Sequence, residues 1–592
     1  MHQIDPDDLL GKAYDARIVR RLAAFIAPYR RRAAAALSLI IAATVLDLLL
    51  PKLFSMAIDE VSGPRRAATL NMLGVAFLAV LGARFVASWG EMYLVAWLGN
   101  RVVFDLRNRM FRHLQTLTIG YVDRRGVGSI MSRIQNDVGV INEFVSEGLS
   151  GVVSNALVLV GIVALMLWTN WRLALLAFVV MPAMALFMVA WRRRAIDTYR
   201  ATRRTISAVN ANLAESIAGV RITQAFAQEP RTIARFRTLN KANLTASVDA
   251  ARLSSILFPV VNLGGAVATA AIVLVGGRLV LGEALSIGEL VLFVALIDRF
   301  FEPIRDLSQQ YNVLQAAMAA GERVFDVLDV TPDVRDRPGA YELPPIVGRV
   351  DYDDVAFGYG DTEVLHGIDL HIAPGETVAF VGETGAGKTS MINLLLRFVD
   401  VWSGRVAIDG HDVRDVTQAS LRAQLGIVLQ DTFLFAGSIH DNLRFGNPEA
   451  EPEAIERAAR EIGAHEFIAA LPDGYATVVQ ERGASLSVGQ RQLLAFARAL
   501  VADPRILILD EATSSIDTQT EQQIQQALRR LLRGRTSLVI AHRLSTIRTA
   551  DRVVVMRGGR IVEQGSHDAL MAHGGYYRRL YETQQAMPHA AD

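Results

Sequence analysis

A short run of glycines with one lysine and several hydroxyl residues has the spacing of a phosphate-binding loop. Its members are Gly382, Glu383, Thr384, Gly385, Ala386, Gly387, Lys388, Thr389 and Ser390. In such a loop the backbone N–H groups surround phosphate oxygens, the lysine reaches the β- and γ-phosphates of a nucleotide, and the next hydroxyl binds Mg²⁺. The apolar run 378–381 precedes the loop and the helix-compatible run 390–397 follows it, as the motif requires. We therefore predict a nucleotide site with Lys388 and Thr389 in these roles.

Two adjacent carboxylates, Asp510 and Glu511, follow the apolar run 506–509. Packing gives no reason for charges at the end of a buried strand, whereas a carboxylate in that place can hold Mg²⁺. A second carboxylate can act as general base or position the water that attacks the γ-phosphate. Upstream, residues 486–490 read Leu-Ser-Val-Gly-Gln, and a helix that begins there would direct backbone N–H groups at a phosphate.

The phosphate-binding loop followed at this distance by residues 486–490 resembles the ATPase domain of the ABC transporter family. The resemblance implies ATP and Mg²⁺ as cofactors. The implied Mg²⁺ contacts are Thr389, Gln430 and Asp510, and the implied catalytic residues are Lys388, Glu511 and His542. The implied ATP contacts outside the loop are Tyr359, Gln430, Ser487, Gly489 and Gln490.

The same resemblance gives several of these residues a specific role. Tyr359 would stack on adenine, and Gln430 at a strand end would sense the γ-phosphate. His542 follows the apolar run 537–541 and would donate to the γ-phosphate and orient Glu511. Residues 514–517, which read Ser-Ser-Ile-Asp, resemble the segment that communicates across a dimer in this family.

Two positions depart from the family pattern. Val488 replaces the first glycine of the usual Leu-Ser-Gly-Gly-Gln signature, and Gln480 stands where glycine is common in the segment before it. Ser487 and Gly489, which are expected to supply the phosphate contacts, are both present. We predict that neither change disables the site, and that both favour a chain specialised to pair with a different partner.

Length and composition limit the classes of protein to which the chain can belong. Its 592 residues exceed one ordinary core, and 51% hydrophobic with 20% charged residues indicates a membrane part joined to a soluble part. A formal net charge of +1 argues against a nucleic-acid partner, and the absence of cysteine excludes disulfides and thiolate chemistry. Residues 1–10 are polar and acidic, so no cleaved signal peptide is predicted.

Apolar stretches of about 20 residues, enough to cross a bilayer, recur in the first half of the chain. The predicted spans are 33–58, 69–98, 149–168, 172–191, 254–276 and 286–305. Arginines at 30–32 precede the first span and arginines at 192–194 follow the fourth, which predicts that these ends face the cytoplasm. We therefore expect a multi-pass plasma-membrane protein, of a compositional type common in bacteria, with both termini and the ATPase domain in the cytoplasm.

Between the spans, 101–142 and 192–254 remain helix-compatible and would extend some tens of ångströms beyond the bilayer. In ABC exporters, segments similar to those near 119–128 and 214–226 form coupling helices that touch the ATPase domains; an ordinary helix–turn–helix is the alternative. The predicted layout is a six-helix, all-α membrane domain at 1–325, a linker at 326–346 and an α/β ABC ATP-binding domain at 347–592.

Several charged residues lie within or near the predicted spans. They are Asp47, Arg84, Glu91, Asp298 and Arg299. Charge inside a membrane is costly and usually faces a cavity or a partner, so these residues could line a cargo path. Alternatively Arg84 and Glu91, which share one helix face, neutralise each other.

With one phosphate-binding loop, one signature and six spans, the chain resembles half of an ABC exporter. The resemblance implies a dimer that exports amphipathic drugs or lipids as ATP is hydrolysed. The altered signature beside Glu511 and His542, and the resemblance of residues 10–17 to subunits that keep the catalytic glutamate, favour a heterodimer over a homodimer. Import of a siderophore-like cargo and an ATP-gated channel or regulator are alternatives, whereas a DNA-repair ATPase would need coiled coils in place of the spans.

Overall fold

The computed structural model describes residues 15–430, 432–510, 518–541 and 543–586. Its contacts divide the chain into two units. The first holds the residues up to Gln115 together with Arg125–Val330, and the second holds Thr116–Arg124 together with the residues from Thr331 onward. The first unit is helical and the second contains β-sheets flanked by helices, which confirms the predicted fold class.

Long helices make up most of the first unit. In chain order the helices are α1 (Ala16–Ile26), α2 (Arg30–Ser62), α3 (Ala67–Leu114), α4 (Ile119–Arg125), α5 (Val127–Ser132), α6 (Val138–Glu143), α7 (Leu149–Phe178), α8 (Val180–Ala218), α9 (Val220–Ala225), α10 (Glu229–Leu281) and α11 (Ile287–Leu328). Of these, α4 belongs to the second unit except for its last residue. A 3₁₀ turn, Ala27–Tyr29, joins α1 to α2, and π-helical turns at Arg133–Asp137 and Phe144–Gly148 flank α6.

Four helical stretches of the described residues are long and apolar enough to cross a membrane. They are Ala16–Ser62, Ala67–Leu114, Val127–Phe178 and Glu229–Leu281. Four of the predicted spans lie within these stretches. Predicted span 172–191 runs from α7 into α8, and predicted span 286–305 lies largely in α11, whose Asp298 and Arg299 lower its hydropathy. The count of six spans stays a prediction.

Breaks in the long helices fall between predicted spans 149–168 and 172–191 and inside the two predicted coupling segments. Asn170 has non-helical backbone angles (φ −156°, ψ 101°), and its side chain accepts a hydrogen bond from the Leu173 N–H at 3.1 Å, so it begins a new helix. Gly126, at φ +74°, separates α4 from α5, and Gly219 separates α8 from α9. The last two breaks lie inside the predicted coupling segments.

A carboxylate links three membrane helices. The carboxylate of Asp47 on α2 lies 2.9 Å from a guanidinium nitrogen of Arg84 on α3 and 3.0 Å from one of Arg299 on α11. The contact with Arg84 is an ion pair whose angles do not make it a hydrogen bond. Among the described ion pairs, Arg84 therefore pairs with Asp47 and not with Glu91, the partner predicted from their shared helix face.

The second unit is built from short strands and helices. The strands are β1 (Val350–Tyr359), β2 (Thr362–Ile372), β3 (Thr377–Val381), β4 (Ser403–Ile408), β5 (His411–Asp412), β6 (Leu425–Val428), β7 (Gly437–Ser438), β8 (Val478–Val479), β9 (Ile506–Asp510), β10 (Thr536–Ile540), β11 (Arg552–Arg557) and β12 (Arg560–Gly565). The helices are α12 (Lys388–Leu395), α13 (Gln418–Arg422), α14 (Ile439–Arg444), α15 (Pro452–Ile462), α16 (His465–Ala469), α17 (Val488–Val501), α18 (Thr518–Leu532), α19 (Leu544–Thr549), α20 (His567–His573) and α21 (Tyr576–Ala586).

A six-stranded sheet in the order β12-β11-β3-β10-β9-β6 organises this unit, and all its pairings except β11 with β12 are parallel. Successive side chains of a strand point to opposite faces. Ile506 and Ile508 of β9 belong to the apolar cluster that contains Met391 of α12. Leu507 and Leu509 belong to the cluster that contains the buried side chains of α17. The helices α12 and α17 therefore pack on opposite faces of the sheet.

The predicted linker is attached to the second unit. The fully buried guanidinium of Arg397 donates to the carbonyl of Arg335 at 2.7 Å and to that of Val416 at 2.9 Å. Leu343 and Ile346 are buried in the same apolar cluster as α12. The segment therefore packs as part of the nucleotide-binding unit, and α11 extends to Leu328, beyond the predicted boundary.

Candidate functional site

The phosphate-binding loop leaves β3 at Val381 and enters α12 at Lys388. Gly385 and Gly387 have φ of +85° and +100°, values that residues with a side chain rarely adopt. A Cβ at Gly382 would collide with the carbonyl oxygen of Met556 on β11. The glycines thus let the backbone make a tight turn beside a neighbouring strand, with its N–H groups available to an anion.

Lys388 is folded over its own loop. Its ammonium donates to the carbonyl oxygens of Gly382 at 2.8 Å and Glu383 at 2.9 Å, and its side chain is almost completely buried. Burial lowers the pKa of Lys388, and the negative charge of Asp510 acts in the opposite direction. The loop follows β3 and Asp510 ends β9, and only β10 lies between these two strands, so the loop and Asp510 share one edge of the sheet.

The carboxyl ends of the parallel strands gather the other predicted polar residues. Asp510 ends β9 and pairs in register with Ile540 of β10, which pairs in turn with Phe380 of β3. Gln430 is exposed two residues after β6, the strand beside β9. Thr389 is exposed at the start of α12. All three predicted Mg²⁺ contacts therefore belong to one edge of the sheet.

Two predicted catalytic residues, Glu511 and His542, lie outside the described residues, as do residues 514–517. Their neighbours are described: Asp510 precedes Glu511, and Ala541, which precedes His542, donates its N–H to the Phe380 carbonyl at 3.2 Å. The roles of Glu511 and His542 stay predictions.

Tyr359, the predicted adenine contact, ends β1 with its ring 46% exposed. Its hydroxyl accepts a hydrogen bond from the side chain of Asn393 on α12 at 3.3 Å. Phe357 packs edge-on against the ring at 4.9 Å. These contacts hold an aromatic face beside the helix that follows the phosphate-binding loop, where a nucleobase could stack.

The signature residues begin α17. Ser487 caps this helix by accepting from the Gln490 N–H at 3.2 Å, while the Gln490 side chain accepts from the Ser487 N–H at 3.0 Å. This reciprocal pair is a capping box, which fixes the helix start and leaves other first-turn N–H groups for an anion. Gln490 thus has a structural partner in this chain as well as its predicted ATP contact.

Val488 and Gly489 face different surroundings. The Val488 side chain is 45% exposed, so it points away from the core of the unit. Gly489 is buried, and a Cβ there would collide with the methyl group of Thr520 on α18. The structure thus disfavours a side chain at 489 and tolerates the valine at 488.

The segment before the signature is held by Arg491. Its guanidinium donates to the carbonyl oxygens of Gly483 at 3.1 Å and Leu486 at 2.7 Å. Arg482 and Gly483 are consecutive left-handed residues, at φ +59° and +68°. Their geometry and the arginine fix the approach of the chain to the signature.

One contact to the phosphate-binding loop was not predicted from the sequence. Tyr576, at the start of α21, donates its hydroxyl to the Glu383 carboxylate at 2.8 Å. Burial, and secondarily the Glu383 carboxylate, raise the pKa of this phenol, so it remains a donor at neutral pH. The two residues are 193 positions apart and no motif connects them, so the sequence carries no signal of the contact.

The residues present fit ATP with Mg²⁺. The glycines leave backbone space for phosphates, Lys388 supplies a cation, and a hydroxyl and a carboxylate reach the same sheet edge as oxygen ligands of the kind that Mg²⁺ takes. When bound, Mg²⁺ would neutralise charge on the β- and γ-phosphates.

Family models match both parts of the chain. A model described as the ABC transporter transmembrane region matches residues 34–304, and one described as ABC transporter matches residues 365–514. The second match contains the phosphate-binding loop, the signature and Asp510.

Relatives resemble the chain over nearly its whole length. An uncharacterized ABC transporter ATP-binding protein of Bacillus subtilis, YknV, is 39% identical over 98% of this chain and 96% of its own. An ATP-dependent lipid A-core flippase of Syntrophus aciditrophicus is 37% identical over 96% of this chain and 94% of its own. Among solved structures, a bacterial Atm1-family ABC exporter with ATP bound is similar with a TM-score of 0.75 and 30% identity, over 95% of this chain and 99% of that one.

Proposed function

This chain belongs to the ABC transporter family, as an exporter-type fusion of membrane and ATPase domains, and we propose that it is one half of a dimer that exports an amphipathic small molecule or a lipid across a bacterial plasma membrane. ATP binding would bring two ATPase domains together and hydrolysis would let them separate. The long helices would transmit this movement to the spans and expose the cargo site alternately to either side.

The opposite placement of α12 and α17 is the observation that carries the proposal. Lys388 begins the helix on one face of the six-stranded sheet, and Ser487 caps the helix on the other face. This separation supports an ATP site completed by the signature of a second chain. Two such sites in a dimer would make nucleotide the link between the two ATPase domains.

We assign the chemistry of the site by the order of residues along the sheet edge. Thr389, Gln430 and Asp510 would hold Mg²⁺, Lys388 would neutralise the phosphates, and Glu511 would position the attacking water. His542 would orient Glu511. The register of β9 with β10 supports these roles, because Asp510 pairs with Ile540, which lies two positions before His542.

The segments around α4 and α9 are proposed as the coupling segments. Thr118 donates to Asp333 of the same unit at 3.3 Å. Ile222 and Phe226 are 66% and 72% exposed at the end of the α8–α10 hairpin. Exposed apolar side chains at such a tip support docking against an ATPase domain.

A heterodimer is favoured over a homodimer because Val488 alters the signature while Glu511 and His542 are retained. An asymmetric pair would need only one competent site, formed by Glu511 of this chain and an unaltered signature of its partner. The lipid flippase relative and the solved exporter support an amphipathic cargo and outward movement.

Transport into inside-out membrane vesicles tests the function. A fluorescent phospholipid serves as the probe. In vesicles that contain the wild-type assembly, we expect ATP to drive accumulation of the probe in the inner leaflet. Glu511→Gln should lower ATP turnover by about 10²–10⁴-fold and abolish accumulation. ATP-dependent loss of probe from loaded vesicles would instead indicate import, and ATP-gated ion conductance without probe movement would indicate a channel.

A further inference from the structure

Two adjoining cavities lie where α1 turns into α2 beside α3. The first, termed the basic cavity, has a volume of about 610 Å³ and is lined by Tyr29, Arg30, Arg31, Arg32, Trp97 and Arg101, with Pro28. The second, termed the apolar cavity, has a volume of about 420 Å³. It shares Trp97 and Arg101 with the basic cavity and adds Tyr93, Ala96, Asn100 and Phe104. A ligand with a polar end and an apolar end could occupy both.

The corner between α1 and α2 follows from local sequence. In α1, Ile18 and Leu22 are buried on one face while Arg17 and Arg20 lie on the exposed side. Pro28 lies in the 3₁₀ turn that ends α1, and Arg30 begins α2, the first predicted span. The basic cavity therefore lies at the membrane boundary that the arginine pattern predicts to be cytoplasmic.

Aromatic contacts hold the wall between the cavities. The Trp97 ring packs edge-on against Tyr29 at 5.4 Å. The Tyr29 hydroxyl donates to Asp105 at 2.6 Å and accepts from the Arg101 Nε at 2.8 Å. This network fixes Arg101 and Trp97 relative to the start of α2, so the cavities are preformed.

Positive charge in the basic cavity exceeds the negative charge that faces it. Asp105 lies 3.9 Å from Arg101 and is the carboxylate of this network. Arg32 lies over the Trp97 ring at 3.8 Å. Arg30, Arg31 and Arg32 are exposed, and none of them belongs to an ion pair among the described residues. Three guanidiniums are thus available to an anion.

We propose that an anionic phospholipid of the cytoplasmic leaflet binds here, with its phosphate among Arg30, Arg31, Arg32 and Arg101 and one acyl chain along Ala96 and Tyr93, the part of the apolar cavity that lies within predicted span 69–98. Basic pockets beside membrane helices attract anionic head groups, and each basic residue near the surface adds to the attraction. The apolar cavity gives a lipid a contact that inorganic phosphate lacks. This lipid is a resident ligand, and its site is independent of the cargo proposed above.

Lipid retention measured by native mass spectrometry tests the site. The full-length assembly is exchanged into phosphatidylglycerol or phosphatidylcholine, and the retained lipids are counted. We expect at least about tenfold preference for phosphatidylglycerol, lost when Arg30, Arg31 and Arg32 are all changed to glutamine. The matched control changes Arg192, Arg193 and Arg194 to glutamine, because these three exposed arginines lie at the same predicted membrane side without this cavity.

The control triple variant should keep the wild-type preference for phosphatidylglycerol within about twofold. An equal loss of this preference in both triple variants would overturn the proposal, because it would show a general attraction of anionic lipid to surface arginines. Because Arg30–Arg32 also set orientation, Trp97→Leu, which keeps every arginine, provides a second test and should weaken retention about threefold. Unchanged retention in a variant that combines Trp97→Leu with Tyr93→Ala would contradict the site. Displacement of the lipid by millimolar inorganic phosphate would show an ion site rather than a lipid site.

Discussion

Gly489 illustrates how one signature residue serves packing. It lies buried under Thr520, and an added methyl group has no space unless the Thr520 side chain rotates or α17 and α18 separate. We expect Gly489→Ala to lower the free energy of unfolding of the ATPase domain by about 1–3 kcal/mol, the usual cost of overpacking. Thermal unfolding of the full chain measures this. Val488→Ala, at the exposed neighbour, is the control and should change stability by less than about 0.5 kcal/mol.

The hydroxyl of Tyr576 positions a carboxylate that would otherwise be free to approach ATP phosphates. Arg557 and Arg579 lie 5.0 and 5.9 Å from the Tyr576 ring and keep it beside Glu383. Because the contact is exposed, we expect Tyr576→Phe to weaken ATP binding only about two- to fivefold. In a Glu383→Gln background the same change should have no further effect. Equilibrium binding of a fluorescent ATP analogue checks this, and equal loss in both backgrounds would show that Tyr576 acts independently of Glu383.

At the scale of elements, one carboxylate between two arginines ties α2, α3 and α11 together. Asp47→Asn would leave Arg84 and Arg299 facing each other without a counter-charge, whereas Arg84→Gln leaves one neutral pair. Since both arginines are partly exposed, we expect Asp47→Asn to cost about 1–3 kcal/mol and Arg84→Gln distinctly less. Melting temperatures in one detergent compare the two variants. An equal loss would mean that the Asp47–Arg299 pair adds no stability beyond that of the Asp47–Arg84 pair.

Local sequence predicted the breaks in the long helices and the phosphate-binding loop well. Asn170 between two tryptophans, and Gly126 and Gly219 in arginine- and alanine-rich helices, are strong local signals, and the structure has breaks at these points. The linker was harder to predict. Its prolines and charges indicate a linker, but its attachment depends on the buried Arg397, a residue 62 positions from its partner Arg335. Such a contact depends on tertiary packing that local composition does not encode.

At the scale of the molecule, strand order decides which residues share the site. The sequence predicts that Lys388, Gln430 and Asp510 each adjoin a strand end, but chain order does not reveal that β10 lies between β3 and β9. Nor does it reveal that α12 and α17 pack on opposite faces. The positions of these residues at strand ends were therefore predictable from motifs, whereas the need for a second chain is supported by topology.

The absence of native cysteine allows a direct test of pairing. Thr384 in the loop and Val488 in the signature are both exposed, so cysteines at both positions of one chain should join two copies in a head-to-tail homodimer. Because we favour a heterodimer, we expect no ATP-dependent species at twice the 64.7 kDa of one chain, and a second half-transporter beside the tagged chain on purification. A strong band at the doubled mass would establish a homodimer.

The most direct test of the account is ATP turnover measured against the number of chains in a particle. Assemblies purified in lipid nanodiscs are separated by mass, and turnover is recorded for each fraction beside a Lys388→Ala control. We predict turnover only in particles that hold two half-transporter chains, and its loss in the control. Turnover of comparable rate in particles with a single chain, or undiminished turnover after Lys388→Ala, would contradict the account.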